Sequence, residues 1–206
     1  MMKASFPELA EKISIKLGIA LARIPLSPNA WTVLSIVPAI FGFAALYYQH
    51  LPAAIALFAF SAVIDAVDGG VARVTGRVTN LGAYLDGMAD RIVEALLLFG
   101  LFFYGMPDFY VSYAFWLALL LFVGTCMVSF SRAYADHRKV ITDSKKLSKM
   151  GGILERAERI ILVFLGMLAA YFAGVPIYLT YAIVAACILS ILTLAQRIYF
   201  VVKNAE

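Results

Sequence analysis

Charge is scarce in this chain, and the residue types that build disulfide frameworks or soft-metal sites are nearly absent. Of 206 residues only 15% are charged, and there are two cysteines and two histidines. Cys126 and Cys187 each stand alone in an apolar run, which excludes a disulfide framework or a Cys/His metal site. Both are expected to be small buried hydrophobes. His50 and His137 lie singly in short connections and are expected to be solvated or interfacial rather than ligands. No internal repeat or low-complexity tract is evident. A cleavable signal peptide is not expected either, because the first twenty-odd residues carry interspersed charges and lack a clean apolar core before a small-residue cleavage site.

Apolar surface is what the chain has in abundance. Hydrophobic residues make up 63% of it, against about 45–50% apolar in an average soluble protein, and the mean hydropathy is +0.89. These values predict an all-α, multi-pass protein of the cell membrane, in a single membrane-embedded domain over 1–206 with membrane lipid as its solvent. No nucleic-acid partner is expected.

Six spans are expected, at about 30–48, 52–74, 82–104, 109–134, 153–172 and 176–202, each near the roughly 20 residues a bilayer requires. Ahead of them, residues 1–24 read as a juxtamembrane amphipathic helix. Phe6, Leu9, Ile13 and Leu17 recur at helical spacing, with Lys3, Lys12 and Lys16 elsewhere, a pattern suited to lying along an anionic interface. Pro25 and Pro28 break that helix, and Trp31 marks entry into the bilayer. The connections 49–51, 105–108 and 173–175 contain no Lys or Arg, whereas the other connections contain many. By the positive-inside rule the N-terminus, the 74–81 turn, the 135–152 loop and the C-terminus face the cytoplasm.

Against this background Asp65, Asp68, Asp86 and Asp90 stand out. Carboxylates in lipid-facing sequence are costly and mark function by default. Asp65 and Asp68 are three apart, and Asp86 and Asp90 four apart, so on helices each pair projects from one face. The polar turn at 74–81 joins the two helices, so both pairs should lie at similar depth near one membrane face. Four carboxylates at close range need compensating positive charge. Oxygen-only ligands without nearby His or Cys favour Mg²⁺, Mn²⁺ or Ca²⁺, and two such ions about 3.5–4 Å apart can clamp an in-line displacement at phosphorus. Gly69 and Gly82 remove side chains where a phosphate would approach the backbone, and Arg73 offers a forked donor for phosphate oxygens.

The pattern D-x-x-D-G-x-x-A-R-x8-G-x-x-x-D-x-x-x-D, running from Asp65 to Asp90, resembles the signature of the CDP-alcohol phosphotransferase family of integral membrane enzymes and matches it at every fixed position. The resemblance implies a transferase that displaces CMP from a CDP-linked lipid, CDP-diacylglycerol or CDP-archaeol, with the hydroxyl of a second alcohol. It implies two metal ions, Mg²⁺ or alternatively Mn²⁺, held by Asp65, Asp68 and Asp86. Asp90 would complete the coordination and take the acceptor's proton. Gly69, Arg73, Thr79 and Gly82 would hold the CDP moiety, with Asn29 and Thr32 closing over it. A homodimer is implied as well.

The segment Gly151–Arg159 (GGILERAER) and Arg197 resemble the branch that makes phosphatidylinositol phosphate or archaetidylinositol phosphate. That branch implies inositol phosphate as the phosphorylated polyol acceptor, its phosphate received by Arg132, Arg156, Arg159 and Arg197. Glu94, one turn beyond Asp90, is expected to support one of these arginines. Glycerol phosphate or another alcohol is the alternative acceptor. A divalent-cation transporter is a more distant alternative, and it should carry polar groups through the whole membrane depth. An intramembrane aspartyl protease needs only two facing acids, which leaves Asp65 and Asp68 without a role.

Overall fold

The computed structural model describes residues 14–21, 24 and 26–205. The expected juxtamembrane helix therefore lies largely outside the described residues; its end, residues 14–21, is helical and is α1. The helices that follow are α2 (Pro28–Tyr47), α3 (Leu51–Val74), α4 (Asn80–Tyr104), α5 (Tyr113–Leu119), α6 (Val128–His137), α7 (Ser144–Ser148), α8 (Arg156–Ala173) and α9 (Ile177–Asn204). Eight residues of π-helix, Leu120–Met127, join α5 to α6. Among the described residues the only extended pairing is a single bridge between Phe109 and Val111. The chain forms two compact units, Met1–Gly100 and Leu101–Glu206.

In the first unit, α2 packs along α3. The pairing is close because small residues face large ones. A Cβ on Gly42 would sit 2.8 Å from the Phe58 ring, and Ser61 Oγ donates to the Ser35 carbonyl at 2.7 Å. In an apolar medium, where burial of hydrocarbon gives helices no net attraction, such close approach and interhelical hydrogen bonds hold the pair. Ser27 caps α2 by accepting from Ala30 N at 3.2 Å, with Pro28 at the first turn. Gly76, at φ +67°, makes the turn after α3, and Thr79 Oγ1 accepts from Gly82 N at 3.0 Å at the start of α4.

In the second unit α9 is the central helix, touching α5, the π-helical segment, α6 and α8. Met167, Leu179 and Ile183 form its fully buried core. The fourth expected span starts later than 109, at Tyr113. The reason is local: Tyr110 has φ +57°, and Asp108 Oδ1 accepts from Tyr113 N at 2.9 Å, so the chain turns before the helix opens. The fifth starts at Arg156 because Glu155 and Glu158 form a capping box there.

Large apolar side chains such as Phe41, Phe122 and Phe172 are exposed, as befits surface in contact with lipid. Among the described residues four helical stretches are long and apolar enough to cross a membrane: Pro28–Tyr47, Leu51–Val74, Tyr113–His137 and Ile177–Asn204. Helices α4 and α8 carry more charge toward their N-terminal ends, Asp86, Asp90 and Arg91 in one, with Glu94 just past its middle, and Arg156, Glu158 and Arg159 in the other. Cys187 is buried as expected, its Sγ 3.1 Å from the Trp116 carbonyl. Cys126 is not: it lies exposed on the π-helical segment.

Candidate active site

Helices α3 and α4 bring three of the four acids together. One oxygen from each of Asp65, Asp68 and Asp86 lies within 4.8 Å of the others. At an effective dielectric near 20, each pair of full charges at such spacing repels by roughly 3–4 kcal/mol, a repulsion that a divalent cation among them would relieve. Helix α2 orients one member: Thr32, itself buried, donates through Oγ1 to Asp68 Oδ2. The donor set is oxygen throughout, which fits Mg²⁺ or Mn²⁺.

These acids open into a cavity of about 690 Å³ within the first unit. Asn29, Thr32, Gly69, Arg73, Thr79 and Gly82, the residues expected to hold the CDP moiety, all line it. The two glycines have physical reasons to be there. A Cβ on Gly69 would meet the Arg73 guanidinium at 3.4 Å, and one on Gly82 would lie 3.2 Å from both Asn29 Oδ1 and Thr79 Oγ1. At Gly82 the absence of a side chain lets two polar groups crowd the cavity wall, and at Gly69 a Cβ would just touch the guanidinium.

Asp90 stands outside the trio. It is buried one turn further along α4, with Oδ2 3.4 Å from Arg91 Nη1, which also donates to the Gly87 carbonyl at 3.0 Å. Glu94 is buried another turn on.

Two polar residues of the lining were not foreseen in the sequence, Ser14 and Arg77. Arg77 is the one charged residue in the 74–81 turn, and that was a usable signal. Ser14 carried none, since nothing in the spacing of residues 1–24 separates it from the other small polar residues there.

The four arginines expected to meet an acceptor phosphate belong to the second unit. Arg159 is only 2% exposed, and Arg197 is also buried. Arg197 Nη1 donates to the Val128 carbonyl at 2.6 Å, just after the π-helical segment. Gly124, inside that segment, makes room for Arg159: a Cβ there would lie 3.1 Å from Arg159 Cδ and 3.0 Å from Ser190 Oγ. Arg156 is half-buried at the first turn of α8, and Arg132 is exposed on α6.

The 151–155 segment is pinned to α9. Ile153 N donates to Gln196 Oε1 at 3.0 Å, and Leu154 N donates to Thr193 Oγ1 at 2.9 Å. Gly152 sits so close to the Thr193 side chain that no Cβ could be accommodated. These bonds fix the direction in which α8 starts, and with it Arg156 and Arg159.

Comparison with known proteins agrees with this geometry. Residues 25–199 match the family described as CDP-alcohol phosphatidyltransferase. The archaetidylinositol phosphate synthase of Pyrococcus horikoshii is 33% identical over 191 residues, covering 93% of this chain and 92% of that one. Two crystal structures of the Mycobacterium tuberculosis phosphatidylinositol phosphate synthase superpose with TM-score 0.77 at 26% identity. The one with CDP-DAG bound covers 92% of this chain and 94% of that one, and the complex with manganese and citrate covers 93% and 90%.

The fold and the acidic cavity are those of an integral membrane transferase that uses divalent metal. The chain belongs to the CDP-alcohol phosphatidyltransferase family.

Proposed function

We propose that this enzyme makes an inositol phosphate lipid, displacing CMP from CDP-diacylglycerol or CDP-archaeol with a hydroxyl of inositol phosphate. The observation that carries the reading is the meeting of Asp65, Asp68 and Asp86 within 4.8 Å in a cavity also lined by Arg73. The names of its relatives support the choice of acceptor.

In the reaction the acceptor oxygen bonds to the lipid-bearing phosphorus, the bond from that phosphorus to CMP breaks, and the acceptor's proton passes to Asp90. Two Mg²⁺ ions, or Mn²⁺, held by Asp65, Asp68 and Asp86 with Asp90 completing the set, would supply positive charge to the pyrophosphate and to the departing CMP. Arg73 holds phosphate oxygens by its paired N–H groups. Asn29, Thr32, Thr79 and the bare backbone at Gly69 and Gly82 seat the nucleotide. A base in reach of the acceptor hydroxyl contributes about 10²–10⁴-fold. The acceptor's own phosphate is received by Arg156, Arg159 and Arg197, with Arg132 at the edge of the group.

All six expected helices cross the membrane within a single domain, a reading supported by the family match across 25–199. In this reading the active site opens at the cytoplasmic face, where CDP-activated lipid and soluble acceptor meet, and the basic turns support that orientation. A homodimer, implied by family likeness, belongs to the same proposal.

The decisive experiment offers purified protein CDP-lipid and Mg²⁺ with inositol phosphate, glycerol phosphate, serine or free inositol in parallel, and measures CMP release. Release with inositol phosphate alone is the expected result. Release only with glycerol phosphate would transfer the reading to that acceptor, and none with any acceptor would end it.

A further inference from the structure

Ser14 links α1 to the nucleotide cavity in a way that the metal-site motif does not anticipate. It is 6% exposed and lines the cavity. Its hydroxyl donates to the Ala66 carbonyl at 2.7 Å and accepts from Arg73 Nη2 at 2.6 Å. One hydroxyl thus uses its single proton on the backbone of α3 and turns its lone pair toward a guanidinium four residues past Gly69.

The backbone around it permits this and little else. Gly70 lies so close against the Ser14 carbonyl that a Cβ would overlap it, and Gly18, one turn on, meets the Gly70 carbonyl in the same way. Leu17 and Leu21 pack on the cluster of Trp31, Ile64, Val67 and Val71. The α1–α3 contact is therefore a backbone-to-backbone crossing built on two glycines, with Ser14 as its polar centre.

We propose that Ser14 is a positioning residue for the CDP-lipid: it holds the Arg73 guanidinium in the orientation that grips a phosphate of the nucleotide, so that docking of α1 on α3 completes the binding cavity. Arg73 has a long side chain with about 2 kcal/mol of rotamer freedom. Gly69 gives its guanidinium space but no fixed partner, and Ser14 supplies that partner from a different helix. The inference rests on the proposed CDP-lipid reading of the cavity.

The test is a double-mutant cycle read by equilibrium binding of CDP-lipid in the presence of Mg²⁺ and by the KM values for both substrates. Ser14→Ala removes one oxygen atom. It should weaken CDP-lipid binding about tenfold, the size expected for one hydrogen bond to a charged group, while the KM for inositol phosphate stays unchanged. In an Arg73→Gln background the same change should add less than about twofold, because the group being positioned is gone.

A Ser14→Ala effect that persists in full without Arg73 would mean that Ser14 merely fastens α1 to Ala66, and would overturn the inference. So would unaltered binding in Ser14→Ala itself. If the wild-type protein binds no CDP-lipid, the functional reading falls first and this one with it; if it binds and only the coupling is missing, this inference alone fails.

Discussion

The two units place charge among apolar helices in opposite ways. In the first, three carboxylates are gathered on a cavity wall, 4.8 Å or less apart, with Thr32 of α2 donating to one of them. In the second, buried arginines are threaded through the packing: Arg197 donates to the Val128 carbonyl, and the stem of Arg159 runs past Gly124. The acidic arrangement offers a cation three oxygen ligands, whereas the basic one draws part of its support from backbone carbonyls. An open acidic site should depend on bound metal for activity while the helices remain packed. A threaded arginine should be needed for both packing and acceptor binding.

The largest expected effect tests the first half of that contrast. Asp68→Ala removes the acid tied to α2, and turnover should fall by about 10³-fold or more, with little change in thermal stability because the side chain sits on a cavity. Removing divalent metal with a chelator should produce the same loss, restored by adding Mg²⁺ or Mn²⁺. CMP release that survives chelation would break the comparison at its root.

Asp90→Asn separates the fourth acid from the trio. Turnover should fall by about 10²–10⁴-fold, while CDP-lipid binding stays within a few-fold of wild type. If turnover instead stayed within a few-fold of wild type, Asp90 would not be the proton acceptor.

How much of this was legible beforehand follows from the range over which each signal acts. The acidic motif repeats at helical spacing and joins its two halves through a short turn, so the sequence brings its four acids toward one place; the structure gathers Asp65, Asp68 and Asp86 and leaves Asp90 outside them. Asn29, Thr32 and Thr79 came from resemblance, and all three line the cavity. Ser14 could not be foreseen, because its role depends on α1 crossing α3 at Gly70, a contact between positions more than fifty residues apart. The π-helical segment was equally hidden. Leu120–Met127 reads as an ordinary apolar run, and the wider turn is visible only in the hydrogen bond from Val128 N to the Val123 carbonyl. Polar local patterns shift helix starts as well: Asp108 and the Glu155–Glu158 box explain why the fourth and fifth spans begin late.

The smallest effect sharpens the second half of the contrast. Arg156, half-buried at the start of α8, is less committed to packing than Arg159, so Arg156→Gln should raise the KM for inositol phosphate about tenfold and leave the KM for CDP-lipid unchanged. Arg159→Gln should raise the same KM and also lower the melting temperature, because its side chain is fully enclosed beside Gly124. Measured together, the pair distinguishes an arginine that only recognises phosphate from one that also holds helices together. Equal loss of stability in both variants would mean that α8 uses its first-turn charges for packing alone, and the acceptor's phosphate would then have to be received elsewhere.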